Sequence, residues 1–174
     1  MKTSIIVCLL ISITFLSQGL FADSWGSAKL NKKVALALAD DAIIQLNIDV
    51  GAGDLTITGK QGQSDIAVIA KVYGEELNED DYVISLEKDG DKAVLIAQFN
   101  DNTFNNERID IEVTMPLSLV LLVDDRSGDI TIESVSNGLT LNDRSGDING
   151  AGDFRLKNDG SGDVNLRNIK RDLK

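Results

Sequence analysis

The chain of 174 residues contains no histidine, one cysteine, one proline and one tryptophan. Without histidine there is no Ser-His-Asp triad, no Cys-His pair and no imidazole metal site. Cys8 lies in an apolar leader, which removes disulfides and thiolate-bound zinc from consideration. Bases are also scarce: 17 Lys and Arg stand against 28 Asp and Glu, a net charge of −11. Nucleic-acid binding depends on clustered Lys and Arg, so that partner is not expected. Trp25, Tyr73 and Tyr82 are too scattered to form a sugar-stacking platform.

What is present begins with the leader. Lys2 supplies a short positive region, Ile5 to Leu16 is apolar apart from small hydroxyl residues and Cys8, and Ser17 to Ala22 offers small residues for cleavage. This is the layout of a secretory signal peptide over residues 1–22, removed after Ala22. The apolar run is shorter than the roughly 20 residues a membrane span needs. Residues 23–174 are then one exported domain with no transmembrane span.

Beyond the leader no helical stripe is visible. Alternation with period two is. Val34, Leu36 and Leu38, then Ile44, Leu46, Ile48 and Val50, then Leu55 and Ile57, then Ile66, Val68 and Ala70, read as half-buried strands, as do Ile109 to Val113 and Leu117 to Val123. Tyr82, Ile84 and Leu86 against Val94, Ile96 and Gln98 predict a hairpin around Asp89-Gly90-Asp91. Glu75 to Asp81 and Asn100 to Arg108 read as solvated loops.

An internal repeat dominates the second half. Asp125-Arg126-Ser127-Gly128-Asp129-Ile130 returns as Asp143-Arg144-Ser145-Gly146-Asp147-Ile148, then as Asp159-Gly160-Ser161-Gly162-Asp163-Val164. The aspartates Asp129, Asp147 and Asp163 are 18 and 16 residues apart. Val50-Gly51-Ala52-Gly53-Asp54-Leu55 is a fainter early relative. Ile130, Ile148 and Val164 align as inward residues, as do Val135, Ala151 and Ile169, and Leu139 and Leu141 match Phe154 and Leu156. A single copy cannot bury its apolar face, whereas stacked copies can. The expected fold is all-β: a parallel β-helix, or β-solenoid, with Ser-Gly-Asp corners. Its N-terminal part is more irregular and carries the hairpin, and its rungs are clearest over residues 124–174. Pro116 should sit at a corner or an edge. An antiparallel sandwich accounts equally well for the first hundred residues but not for three near-identical corners.

These motifs resemble those of the putative adhesin, head-domain-like family of bacterial exported proteins. The resemblance rests on Gly53-Asp54-Leu55, Val113-Thr114-Met115-Pro116, the Ser127-Gly128-Asp129-Ile130 corner with its two copies, and Gly152-Asp153-Phe154. It covers roughly residues 33–174, and it implies a β-helical fold and an exported location but no catalytic residues. The third repeat ends at Leu173-Lys174 without a polar cap, which leaves an open edge for self-association.

The candidate metal ligands are Asp129, Asp147 and Asp163. Stacked along one ridge, they would repel each other, and calcium would relieve that repulsion. Asp125, Asp143 and Asp159 are outlying candidates for the same ridge. The competing reading is that each aspartate caps a turn and faces water. Arg126 and Arg144 could pair with Asp125 and Asp143 in an exposed ladder or line a strip for an anionic sugar. The expected function is non-enzymatic: an exported cell-envelope or surface interaction protein, adhesin-like, that binds a protein or glycan. The alternative is a calcium-dependent carbohydrate-binding module or a degenerate polysaccharide-active β-helix enzyme. No cofactor is expected beyond that calcium.

Overall fold

The computed structural model describes residues 28–75, 77–100 and 107–167. The leader, Trp25, Ile169 and Leu173 lie outside the described residues. The fold is all-β, with 11 strands in one mixed sheet. The strands are β1 (Leu30–Leu38), β2 (Gln45–Ala52), β3 (Leu55–Lys60), β4 (Ile66–Tyr73), β5 (Tyr82–Asp89), β6 (Lys92–Phe99), β7 (Arg108–Pro116), β8 (Val120–Ser127), β9 (Ile130–Asp143), β10 (Ile148–Asp159) and β11 (Val164–Arg167). Among the described residues no helix is long and apolar enough to cross a membrane.

The spatial order is β1-β4-β7-β3-β9-β8-β2-β6-β5, with β10 on β9 and β11 on β10. This corrects the expected parallel β-helix. β1 and β4, β4 and β7, and β5 and β6 pair antiparallel. Strands far apart in sequence also become neighbours: β2 sits between β8 and β6, and β3 between β7 and β9. The sheet curls until its end strands β1 and β5 touch, giving a nearly closed, barrel-like wall around one core. The reason is physical. Alternation says which face of a strand is buried, but parallel and antiparallel ladders bury that face equally well, so it does not select a neighbour. Ion pairs from Lys32 to Glu79 and from Lys88 to Asp40 clasp the seam.

The core consists of the inward residues of each strand, including Leu46, Ile57, Ile66, Leu95, Ile111, Leu121, Ile130, Leu141 and Ile148, each at most 2% exposed. Full burial of such a side chain contributes about 1.5–3 kcal/mol. The hairpin forms as predicted, with Gly90 at φ 64° opening its two-residue loop. Its second strand is inverted, however. Ala93, Leu95 and Ala97 face the core, and Val94 and Ile96 are only half-buried. The run Ala-Val-Leu-Ile-Ala is apolar on both faces, so its parity was not readable. Ile43 is buried in place of Ile44, which is 59% exposed. The stretch from Glu75 to Asp81 ends in a short 3-10 turn over Glu79–Asp81, not an open loop. Pro116 ends β7, and its carbonyl accepts the Leu119 N–H in the following turn.

The repeated segments are in parallel register. Ile130, Ile148 and Val164 are direct neighbours, and Phe154 and Leu156 pair with Leu139 and Leu141. The expected match of Val135 with Ala151 is off by one residue. Gly152 pairs with Val135 across an irregularity that absorbs the length difference between copies. Strand β9 bends at Ser134 (φ 58°) and Gly138 (φ 103°), so that Ile130 to Ile132 lie against β3 while Leu139 to Asp143 lie against β8.

Candidate functional site

The Gly-Asp corners form one file. Gly53 N–H donates to the Ser127 carbonyl (3.0 Å), Gly128 to Ser145 (3.1 Å) and Gly146 to Ser161 (2.9 Å). On the far side of the corner Leu55 donates to Asp129, Ile130 to Asp147 and Ile148 to Asp163, each at 2.9 Å. Gly53, Gly128, Gly146 and Gly162 have φ of 135°, 133°, 140° and 138°, a region that favours glycine. A Cβ would also have no room. At Gly128 it would strike the Gly53 carbonyl oxygen, at Gly146 that of Gly128, and at Gly162 that of Gly146. The glycines are therefore required by both conformation and close backbone approach. The early Gly53-Asp54 relative is the first member of this file.

Asp129, Asp147 and Asp163 lie along the ridge next to the glycines, preceded by Asp54, and all four are exposed. They form a hydrogen-bonded ladder. The N–H of Asp129 donates to Oδ1 of Asp54 (3.2 Å), that of Asp147 to Oδ1 of Asp129 (3.0 Å) and that of Asp163 to Oδ1 of Asp147 (2.9 Å). The carboxylates of Asp54, Asp129 and Asp147 thus each cap the amide of the next corner, not of their own. The ladder starts on Asp110, whose Oδ1 accepts from Asp54 N–H (3.2 Å) and from Arg108 Nε (3.1 Å). Arg108 in turn stacks over the Tyr73 ring, 4.1 Å from its centroid. A cation fixed on an aromatic face therefore anchors the foot of an acidic file. Among the described residues, no group of three or more His, Cys, Asp or Glu is arranged to hold a metal ion.

Asp125 and Asp143 are not on this ridge, which corrects their place as outlying ridge candidates and as members of an exposed ladder with arginine. Both are 0% exposed. They continue the inward series of their strands, Leu121-Val123-Asp125 and Leu139-Leu141-Asp143, and are register partners across the β8–β9 seam. Arg126 makes no ion pair with Asp125, and Arg144 is exposed while Asp143 is buried. Asp143 Oδ1 accepts the Ser145 N–H (3.2 Å), an Asx-type bond that shapes its corner. Neither carboxyl oxygen of Asp125 has a well-formed hydrogen bond among the described residues. Burial, and then the Asp143 charge beside it, push the Asp125 carboxyl up to about 7, against a weaker opposing pull from the amides of Arg126 and Ser127. The signal was legible as the parity of Leu121 and Val123 carried two residues further. The charge of aspartate argued against following it. Asp159 is the next register partner, but its side chain lies outside the described residues.

No family model and no curated protein sequence matches this chain. Solved structures similar to it include a putative cell adhesion protein of Clostridium sporogenes, with 15% identity over 82% of this chain and a TM-score of 0.42. A putative adhesin of Bacteroides fragilis is similar at 18% identity over 79%, TM-score 0.35, and one of Parabacteroides distasonis at 14% over 78%, TM-score 0.34. The chain spans 65% and 60% of the length of the first two, and 70% of the third. Each is named as a putative adhesin or a putative cell adhesion protein.

Proposed function

We propose that the protein is an exported, non-enzymatic interaction module of the cell envelope or surface, adhesin-like, that presents the Gly-Asp ridge to a protein or glycan. The observation that carries this reading is the ladder of Asp54, Asp129, Asp147 and Asp163. Successive backbone amides hold the first three side chains, so the ridge is a pre-ordered polar face. Pre-ordering lowers the entropy lost on binding. The buried carboxyls, by contrast, are sealed from any substrate at 0% exposure.

The test is binding of the full chain to a glycan array and to intact bacterial and host cells, with and without EDTA. A D129N/D147N/D163N variant is run beside it. The expected result is binding that survives EDTA and weakens by roughly tenfold or more in the variant. Loss of binding on chelation would replace this reading with the calcium-dependent carbohydrate-binding one. Release of unsaturated sugar from polyuronates would overturn the non-enzymatic reading, and recovery of the protein in the cytoplasmic fraction would overturn export.

A further inference from the structure

The buried carboxyls have no role on the ridge, yet they are the only polar residues in an otherwise apolar set of fully buried side chains among the described residues. Asp125 is flanked in register by Val50 on β2 and by Asp143 on β9. Adjacent rungs are about 4.8 Å apart. Two ionised carboxylates at that spacing, out of water and with no cation paired to Asp125 among the described residues, are strongly disfavoured.

The charged groups around Asp125 are few. On its own strand Asp124 is exposed and Arg126 is half-buried without pairing to it. The ridge aspartates Asp54, Asp129 and Asp147 face solvent and are engaged with corner amides. On the far side of Asp143, β10 contributes Asp159 in register.

We propose that Asp125 and Asp143 act as a buried proton-holding pair, one proton lying between them, and that its loss above neutral pH loosens the β8–β9 seam behind the ridge. One neutral and one ionised carboxyl can share a hydrogen bond, which satisfies an Asp125 oxygen that has no well-formed hydrogen bond among the described residues. Like-charged pairs of this kind titrate as a unit. The chain has no histidine, so between about pH 5 and 8 no ordinary side chain competes with this titration. Glu107 is a second carboxyl held above its usual range, by burial and by Asp81, and must be separated by mutation.

The experiment is a series of thermal melts of the full chain from pH 5 to pH 9, wild type beside D125N, with an infrared titration of the carboxyl stretch. The expected result is a wild-type Tm that falls as pH rises through neutrality. D125N, which keeps a neutral group of the same shape, should show a flat profile and a higher Tm than wild type at pH 9. A wild-type profile without slope, or the same slope in D125N, would overturn the proposal. So would a Tm at pH 9 that calcium or sodium restores in wild type only, because the pair would then hold a cation. If D125N does not fold, the infrared titration decides. A protonated carboxyl band in wild type that vanishes across neutral pH supports the pair, and its absence at pH 6 refutes it.

Discussion

Replacing Gly146 by alanine tests the stacked corner directly. Gly146 has φ 140°, a conformation that costs an alanine about 1–3 kcal/mol. Its new Cβ would also run into the carbonyl of Gly128, a backbone group that cannot rotate away. Moving that carbonyl would disturb the Gly128 N–H bond to Ser145 (3.1 Å) and the Gly146 N–H bond to Ser161 (2.9 Å). Overpacking of this kind adds about 1–3 kcal/mol. The two effects together place G146A about 3–5 kcal/mol below wild type. Gly90 is the control, since it has φ 64° in the β5–β6 turn with open space around the missing Cβ. G90A bears only the conformational term, about 1 kcal/mol. Urea unfolding monitored by circular dichroism, with ΔG extrapolated to water, measures both. If G146A and G90A agree to within about 1 kcal/mol, the corners are not packed backbone to backbone, and the ridge argument fails with them.

Other outcomes follow from the same geometry. D147A removes the acceptor of the Asp163 N–H and should cost about 1 kcal/mol or less, whereas D147N keeps an acceptor oxygen and should lie closer to wild type in urea melts. Because the Oδ1 atoms of Asp54, Asp129 and Asp147 are already engaged by amides, millimolar calcium should leave the Tm unchanged; a rise of several degrees would restore the metal reading. The carboxyls of Asp40 and Glu79 are held below their usual range chiefly by hydrogen bonds from Lys88 and Lys32. Depressed carboxyls stabilise the fold above their unfolded values and lose that effect as pH falls through the folded ones, so the β1–β5 seam should weaken below about pH 4. A K32M/K88M variant should show less of this acid-side loss. The raised Asp125 carboxyl has the opposite sign. Its effect is fully present below its unfolded value of 3.8 and is lost as pH rises to about 7, on the order of 4 kcal/mol in unfolding free energy. D125N should remove that slope.

Much of the structure could be read from residue order alone. Period-two alternation located most strands, because a strand with one buried face must alternate. The Asp89-Gly90-Asp91 turn located the hairpin, since Gly90 alone meets its backbone demand there. The spacing of Asp129, Asp147 and Asp163 predicted the stacked corners, because identical bends in register let every glycine approach the carbonyl before it. Three matters were decided only by tertiary structure. Strand order and direction were one, because β4 returns antiparallel between β1 and β7 through contacts that no local pattern encodes. The parity of β6 was another, because a run apolar on both faces lets its neighbours choose which face is buried. The third was the environment of Asp125 and Asp143. Aspartate prefers water, but its position two residues beyond Val123 and Leu141 on strands already fixed by the core turns it inward. The backbone ladder holds it there, and burial then changes the chemistry of its carboxyl.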